Sequence, residues 1–342
     1  SNKTSSSTID NPTNITGQVD AGAVLPGVGL IVVCFDTSGK ELARTVVSDD
    51  GSYSLTLTQV LNELLLLRLI DTNGNSPDYI DEATKLNKDL TADLRSVLYV
   101  NNGGDYIINI NPVTELVPRA LGLSGGDNSS SRTSIGNITS ESLDETIINI
   151  STQLGLSAID IMADKPQLSV DSFGNNNTNV DSYGLVLASI SGLELRDNFT
   201  TDQVLNDLLN NFDSNNSITE IGKNNLISGA EQSSVDAISV AASLGYDPIE
   251  SLLVVSNNYT NNSDFLLTLD HYITAGIAGV TLNNIDLINS SILSSNIHDH
   301  IGSSELIEII EIASLYTIQN TGSKVRSTQL TPDDYIGAGV LG

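Results

Sequence analysis

Between Asn111 and Pro112 the hydrophobic repeat of this chain changes from the alternation of a strand to the three-to-four spacing of a helix, and that switch limits the folds open to it. Upstream, Asn14–Val19, Leu30–Phe35, Leu42–Val47 and Ser52–Leu57 read as short strands, and Leu64–Ile70 as a continuous buried one. Pro26-Gly27, Asp36–Gly39 and Asp49-Asp50-Gly51 punctuate them as turns. Short strands at this spacing predict a β-sandwich. Downstream, Pro112 at a first-turn position opens a helix over Val113–Leu121 closed by Gly122. Ser142 with Glu145 reads as a capping box before Leu143, Ile147, Ile150 and Leu154, with Gly155 as the stop. Val180–Ile190 is expected to end at Gly192, Thr200 with Gln203 to cap Val204–Phe212, and Asn225–Leu244 to form one helical stretch stopped by Gly245. The fold class is therefore α+β and multidomain, with an N-terminal β-sandwich followed by an all-α bundle and a helical repeat. The divisions are 1–11 linker, 12–111 sandwich, 112–265 helical domain, 266–329 helical repeat and 330–342 the start of a second repeat copy.

The repeat is visible in the residues. Leu267-Thr268-Leu269-Asp270-His271-Tyr272-Ile273-Thr274-Ala275-Gly276-Ile277-Ala278-Gly279 aligns with the stretch from Leu330 to Gly342, with eight of thirteen positions identical. An N-cap Thr, an acidic first turn and a Gly stop are general features of a helix start. The shared Tyr-Ile and Ala-Gly are not. The second copy ends at Gly342 directly after its opening motif, which reads as a piece of something longer.

Charge narrows the partners. Lys and Arg number 14 against 42 Asp and Glu, a net charge of −28, and such a field repels phosphate backbones and anionic bilayers. Nucleic acid is excluded as a partner. No stretch approaches the about 18 consecutive apolar residues of a membrane span, so membrane insertion is not expected. Aromatics make up 4% of residues with no Trp, thin material for stacking bases or sugar rings. Residues 1–11 are Ser-, Thr- and Asn-rich, a linker without a secretion leader. The single cysteine, Cys34, rules out an intrachain disulfide and reads as a small hydrophobe within the Leu30–Phe35 strand.

Two family resemblances follow from these segments. Gly17-Gln18-Val19, Pro26-Gly27-Val28 and Thr45–Val47 leading into Asp49-Asp50-Gly51-Ser52-Tyr53-Ser54-Leu55 resemble the carboxypeptidase-regulatory-like, or prealbumin-like, β-sandwich over about 60 residues. The Leu-Thr-x-x-Asp-Tyr-type helix openings, Asn111–Leu116 and Val180–Gly192 resemble segments of giant repetitive bacterial cell-surface adhesins. That resemblance implies an extracellular, cell-surface protein acting as a non-catalytic spacer or presentation module. Its partners would be copies of itself, neighbouring domains of the same chain, or surface glycans. A self-assembling filament, sheath or surface-layer subunit and a carbohydrate-binding module are the alternatives.

Candidate chemistry is confined to one loop. Asp71, Asn73, Asn75 and Glu82 fall at positions 1, 3, 5 and 12 of a Ca²⁺-loop pattern, and Asp78 and Asp81 add oxygens nearby. Ser76 stands where that pattern needs Gly, and a strand rather than a helix precedes it. A Ca²⁺ site made by Asp71, Asn73, Asn75, Asp78 and Glu82 and a plain solvated acidic loop both fit these residues, and Ca²⁺ is the one cofactor expected. His298 and His300 diverge if helical, and with His271 they make no zinc motif. Asp49-Asp50 and Asp333-Asp334 are accounted for by turn and cap roles. No nucleophile elbow, phosphate-binding loop or dinucleotide fingerprint occurs, so no enzymatic activity is expected.

Overall fold

The alternating segment folds as strands and the three-to-four-spaced segment as helices in the computed structural model of the chain, which describes residues 12–59, 61–123, 134–258, 267–296 and 301–320. Ten strands come first: β1 (Thr13–Gln18), β2 (Ala23–Val24), β3 (Leu30–Phe35), β4 (Glu41–Val46), β5 (Ser52–Leu57), β6 (Asn62–Asp71), β7 (Tyr79–Ile80), β8 (Asn87–Lys88), β9 (Arg95–Asn101) and β10 (Gly104–Ile107). Among the described residues ten α-helices follow: α1 (Pro112–Ala120), α2 (Ser140–Gln153), α3 (Ser182–Asp197), α4 (Thr201–Asn210), α5 (Glu220–Gln232), α6 (Ala237–Ser243), α7 (Pro248–Asn257), α8 (Leu269–Thr274), α9 (Ile285–Asn296) and α10 (Ser303–Asn320).

Three sheets form, in the orders β10-β1-β5, β4-β3-β6-β9 and β2-β7-β8. In β5, Tyr53, Leu55 and Leu57 are buried while Ser54 and Thr56 face solvent, the signature of a strand with one wet side. β6 differs: Leu64, Leu65, Leu66 and Leu67 are all buried, so both its faces are covered. Its neighbour β9 carries α1 against it. One apolar cluster accordingly runs without a break from Ile15 through the strands into the helices as far as Ala313. Cys34 lies within it at 0% exposure, and burial pushes its thiol up to about 12, which leaves it protonated and inert.

Several helix limits differ from those expected. The α2 cap is Thr139, three residues before Ser142, and Ser142 is the N3 partner that reaches back to it. The stretch 225–244 is two helices, broken where Ser234 takes φ 55° and Asp236 caps a new start. Gly192 does not stop α3, which continues to Asp197. A Cβ at Gly192 would sit 1.8 Å from the Gly229 carbonyl oxygen, and one at Gly229 would sit 2.1 Å from that of Ser189. Gly192 is thus a place where α3 and α5 touch through their main chains, reinforced by Ser233 Oγ donating to the Ala188 carbonyl at 2.6 Å.

The first copy of the repeated motif forms α8. Thr268 caps it with His271, Tyr272 is fully buried with its hydroxyl 2.8 Å from Asn289 Oδ1, and Gly276 supplies the positive φ of the stop. The second copy, residues 330–342, the linker 1–11, and His298 and His300 lie outside the described residues.

Gly192→Ala gains helix propensity yet inserts a methyl into backbone atoms, so the clash decides its sign. The expected loss is about 1–3 kcal/mol from the urea midpoint. Gly136→Ala, whose nearest atom is 4.0 Å away, is the matched change expected to stay within about 0.5 kcal/mol.

Candidate functional site

Polar chemistry gathers in two places, the joint between strands and helices and the loop after β6. At the joint Asn111 ends the strand region. Its carboxamide oxygen accepts from the N–H groups of Val113 and Thr114 and caps α1, while its Nδ2 donates to the Tyr183 hydroxyl of α3 at 2.8 Å. Tyr183 in turn donates to the Ile161 carbonyl at 2.6 Å. One turn into α1, Glu115 is fully buried against Arg95 of β9, with Arg95 Nη2 2.7 Å from Oε1 and Nε 3.0 Å from Oε2. Arg119 Nε adds a third contact at 2.8 Å and reaches on to Asp202 of α4. Burial pushes the Glu115 carboxyl up, and the two guanidiniums pull it back.

The hairpin β7–β8 makes the second clamp. Asp81 accepts from Ser191 Oγ of α3 at 2.8 Å and from Thr84 N–H at 2.9 Å, and the Ala83 N–H donates to that same Ser191 oxygen at 3.0 Å. Lys88 bridges Asp81 to Glu194. Glu82 turns away from the loop: it is buried and accepts from both the N–H and the hydroxyl of Ser169, at 2.7 and 2.6 Å. Those bonds favour the carboxylate, but burial is the larger effect and raises Glu82 to about 7. Asp20 is raised to about 8, chiefly by burial with Lys165 opposing, and its Oδ2 has no hydrogen-bond partner.

The loop after β6 brings some of the expected ligands together and not others. Asp71 and Asp78 converge, and Asp89, which the loop pattern does not include, joins them from beyond β8, with one oxygen of each within 4.8 Å of the others. Asn73 sits among them, its N–H donating to Asp71 Oδ1 at 2.7 Å and its Nδ2 to Asp78 Oδ1 at 3.0 Å. Asn73 Oδ1 and Asp89 Oδ1 are buried with no hydrogen-bond partner. Asn75 is exposed on the loop, and Glu82 is with Ser169 as described. Asp89 comes from a separate turn brought back by the β7–β8 hairpin, so linear spacing could not announce it. Arg95 left a faint signal, a cation beside Leu94 and Val97 in an otherwise apolar strand.

No protein-family model, curated protein or solved structure matches the chain. Among the described residues no helix is long and apolar enough to cross a membrane.

Removing Glu115 takes the bidentate partner from a buried Arg95 and leaves it Asp93 at 3.6 Å and the Leu123 carbonyl at 3.2 Å, so Glu115→Ala is expected to cost about 3 kcal/mol in urea unfolding. Asp202→Ala removes a partner whose side chain is 39% exposed and should cost no more than about 1 kcal/mol. Asp20 and Glu82 keep their protons in the folded chain at pH values where the unfolded chain has lost them. The stability they confer is complete below the ordinary carboxylate range and is lost as pH rises towards about 7 and about 8. The melting temperature should fall steadily between mildly acidic and mildly alkaline buffer. Asp20→Asn should flatten that slope, and a slope left unchanged would remove Asp20 as its source.

Proposed function

We propose that this chain is an architectural segment of an extracellular, cell-surface protein, a non-catalytic spacer that extends or presents an adhesive tip. The β10-β1-β5 and β4-β3-β6-β9 sheets are read as the faces of the sandwich, with the helical bundle fused to it at Asn111 and the α8–α10 region as the first repeat unit. One observation carries the reading. The two segments that resemble surface adhesins, Asn111–Leu116 and Val180–Gly192, meet in the fold, and their polar side chains are engaged in holding it. Asn111 caps α1 and bonds Tyr183, Glu115 holds Arg95, and Ser191 holds Asp81. Residues engaged in this way join strands to helices and leave little for chemistry. The Asp71–Asp78–Asp89 cluster with Asn73 is read as the Ca²⁺ site of this architecture, with the ion relieving carboxylate repulsion and satisfying the orphaned oxygens. Neighbouring domains of the same chain are the partners in this reading.

The test is light scattering and thermal melting of the purified full chain with and without CaCl₂. A monodisperse monomer at high concentration is expected, with melting raised by a few degrees at Ca²⁺ well above its dissociation constant and that rise abolished in Asp78→Asn. Filaments or sheets by electron microscopy would replace the spacer with a self-assembling subunit, and specific signal on a glycan array would replace it with a carbohydrate-binding module.

A further inference from the structure

Asn73 is followed by Gly74, and the only other Asn–Gly step in the chain is Asn102–Gly103. At such a step the glycine backbone nitrogen can reach the preceding carboxamide, because no Cβ obstructs the approach. Several features around Asn73 favour that reaction. Gly74 stands at φ +75° with nothing within 4 Å of where a Cβ would lie, so a five-membered ring has room to form. Among the described residues no hydrogen bond holds the Gly74 N–H. Asn73 Oδ1 likewise has no hydrogen-bond partner, so no bond from that oxygen fixes the carboxamide plane. Asn73 Nδ2, the atom that must leave, lies 3.0 Å from Asp78 Oδ1.

We propose that Asn73 is a site of spontaneous deamidation and that its conversion adds a fourth carboxylate to the Asp71–Asp78–Asp89 cluster, strengthening its grip on a divalent cation. The Gly74 nitrogen bonds to Cγ of Asn73 and the Cγ–Nδ2 bond breaks. Nδ2 leaves as ammonia, its third hydrogen being the proton that the Gly74 nitrogen gives up on ring closure. Water then opens the succinimide at either carbonyl, giving aspartate or, with one more backbone atom, isoaspartate. No oxidant or reductant is involved. The new carboxylate stands beside Asp78 and the Asp71 carboxylate, where only a cation relieves the added repulsion, and hard-cation affinity rises with the charge of the ligand set. The affinity gain rests on the Ca²⁺ reading of this cluster. The deamidation does not.

Purified full chain would be aged in mildly alkaline buffer and mapped by peptide mass spectrometry, and Ca²⁺ binding would be measured by calorimetry on fresh protein, aged protein, Asn73→Asp and aged Asn73→Ser. The expected result is that the Asn73 peptide exchanges NH₂ for OH, that aged protein and Asn73→Asp bind Ca²⁺ roughly tenfold more tightly than fresh protein, and that Asn73→Ser does not change on ageing. An Asn73 peptide that stays intact while the Asn102 peptide converts overturns the proposal. So does Asn73→Asp binding no more tightly than fresh protein. Conversion of Asn73 with Ca²⁺ bound by none of the four samples would overturn the Ca²⁺ reading and the affinity gain together, leaving the mass result as the record of the deamidation.

Discussion

The contact between Arg95 and Glu115 fixes how the two halves of this chain meet. Arg95 is fully buried in β9 and Glu115 in α1, so neither charge has water to fall back on. Each is tolerable chiefly because the other is present at 2.7 Å, with Arg119, Asp93 and the Leu123 carbonyl taking up remaining positions. An apolar pair would join the same surfaces with equal or greater stability, but it would not set their angle so narrowly. A bidentate guanidinium–carboxylate contact admits essentially one arrangement. With α1 fixed on β9, Asn111 is placed to reach Tyr183, and through Tyr183 the loop at Ile161 and helix α3 are drawn onto the sheet. The β7–β8 hairpin then meets α3 at Ser191 and Glu194.

The acidic residues of the chain divide by role. Asp36, Asp171 and Asp213 accept backbone N–H groups two and four residues ahead and shape tight turns, each completed by a residue at positive φ: Gly39, Gly174 and Asn216. Asp81, Glu115 and Glu194 are buried and engage basic side chains. Asp71, Asp78 and Asp89 instead face one another. A net charge of −28 is therefore not spread evenly over a solvated surface, since part of it is taken up in internal scaffolding.

Much of the strand region was legible because its cues are local. Leu30–Phe35 and Ser52–Leu57 declared themselves by composition and alternation and fold with those limits. The change of period at Asn111 marked the start of the helices, and Thr200 with Gln203 caps α4 as its sequence indicates. Where local reading failed, a tertiary contact had taken over. Gly192 looks like a stop but serves close packing against Gly229, and the break at Ser234 carries no Gly or Pro. β9 opens on a buried arginine and β10 on a glycine, so neither presents a clean apolar alternation from its first residue. For the acidic loop, the spacing names Asp71 and Asn73 and its neighbourhood adds Asp78, and these three lie together in the fold. Glu82 is carried away to Ser169, and Asp89, which the hairpin brings back, lies beyond the reach of linear spacing.

β1 lies between β5, which it meets antiparallel, and β10, which it meets parallel with Thr13 opposite Gly104 and Thr16 opposite Ile107. The backbone therefore enters this sheet at one end of the β1–β10 ladder and leaves it at the other. Tension transmitted along the polypeptide from both sides pulls the two strands past each other lengthwise, so their cross-strand bonds are strained together instead of peeling open one rung at a time. Under such a load that geometry makes the strand pair a brake.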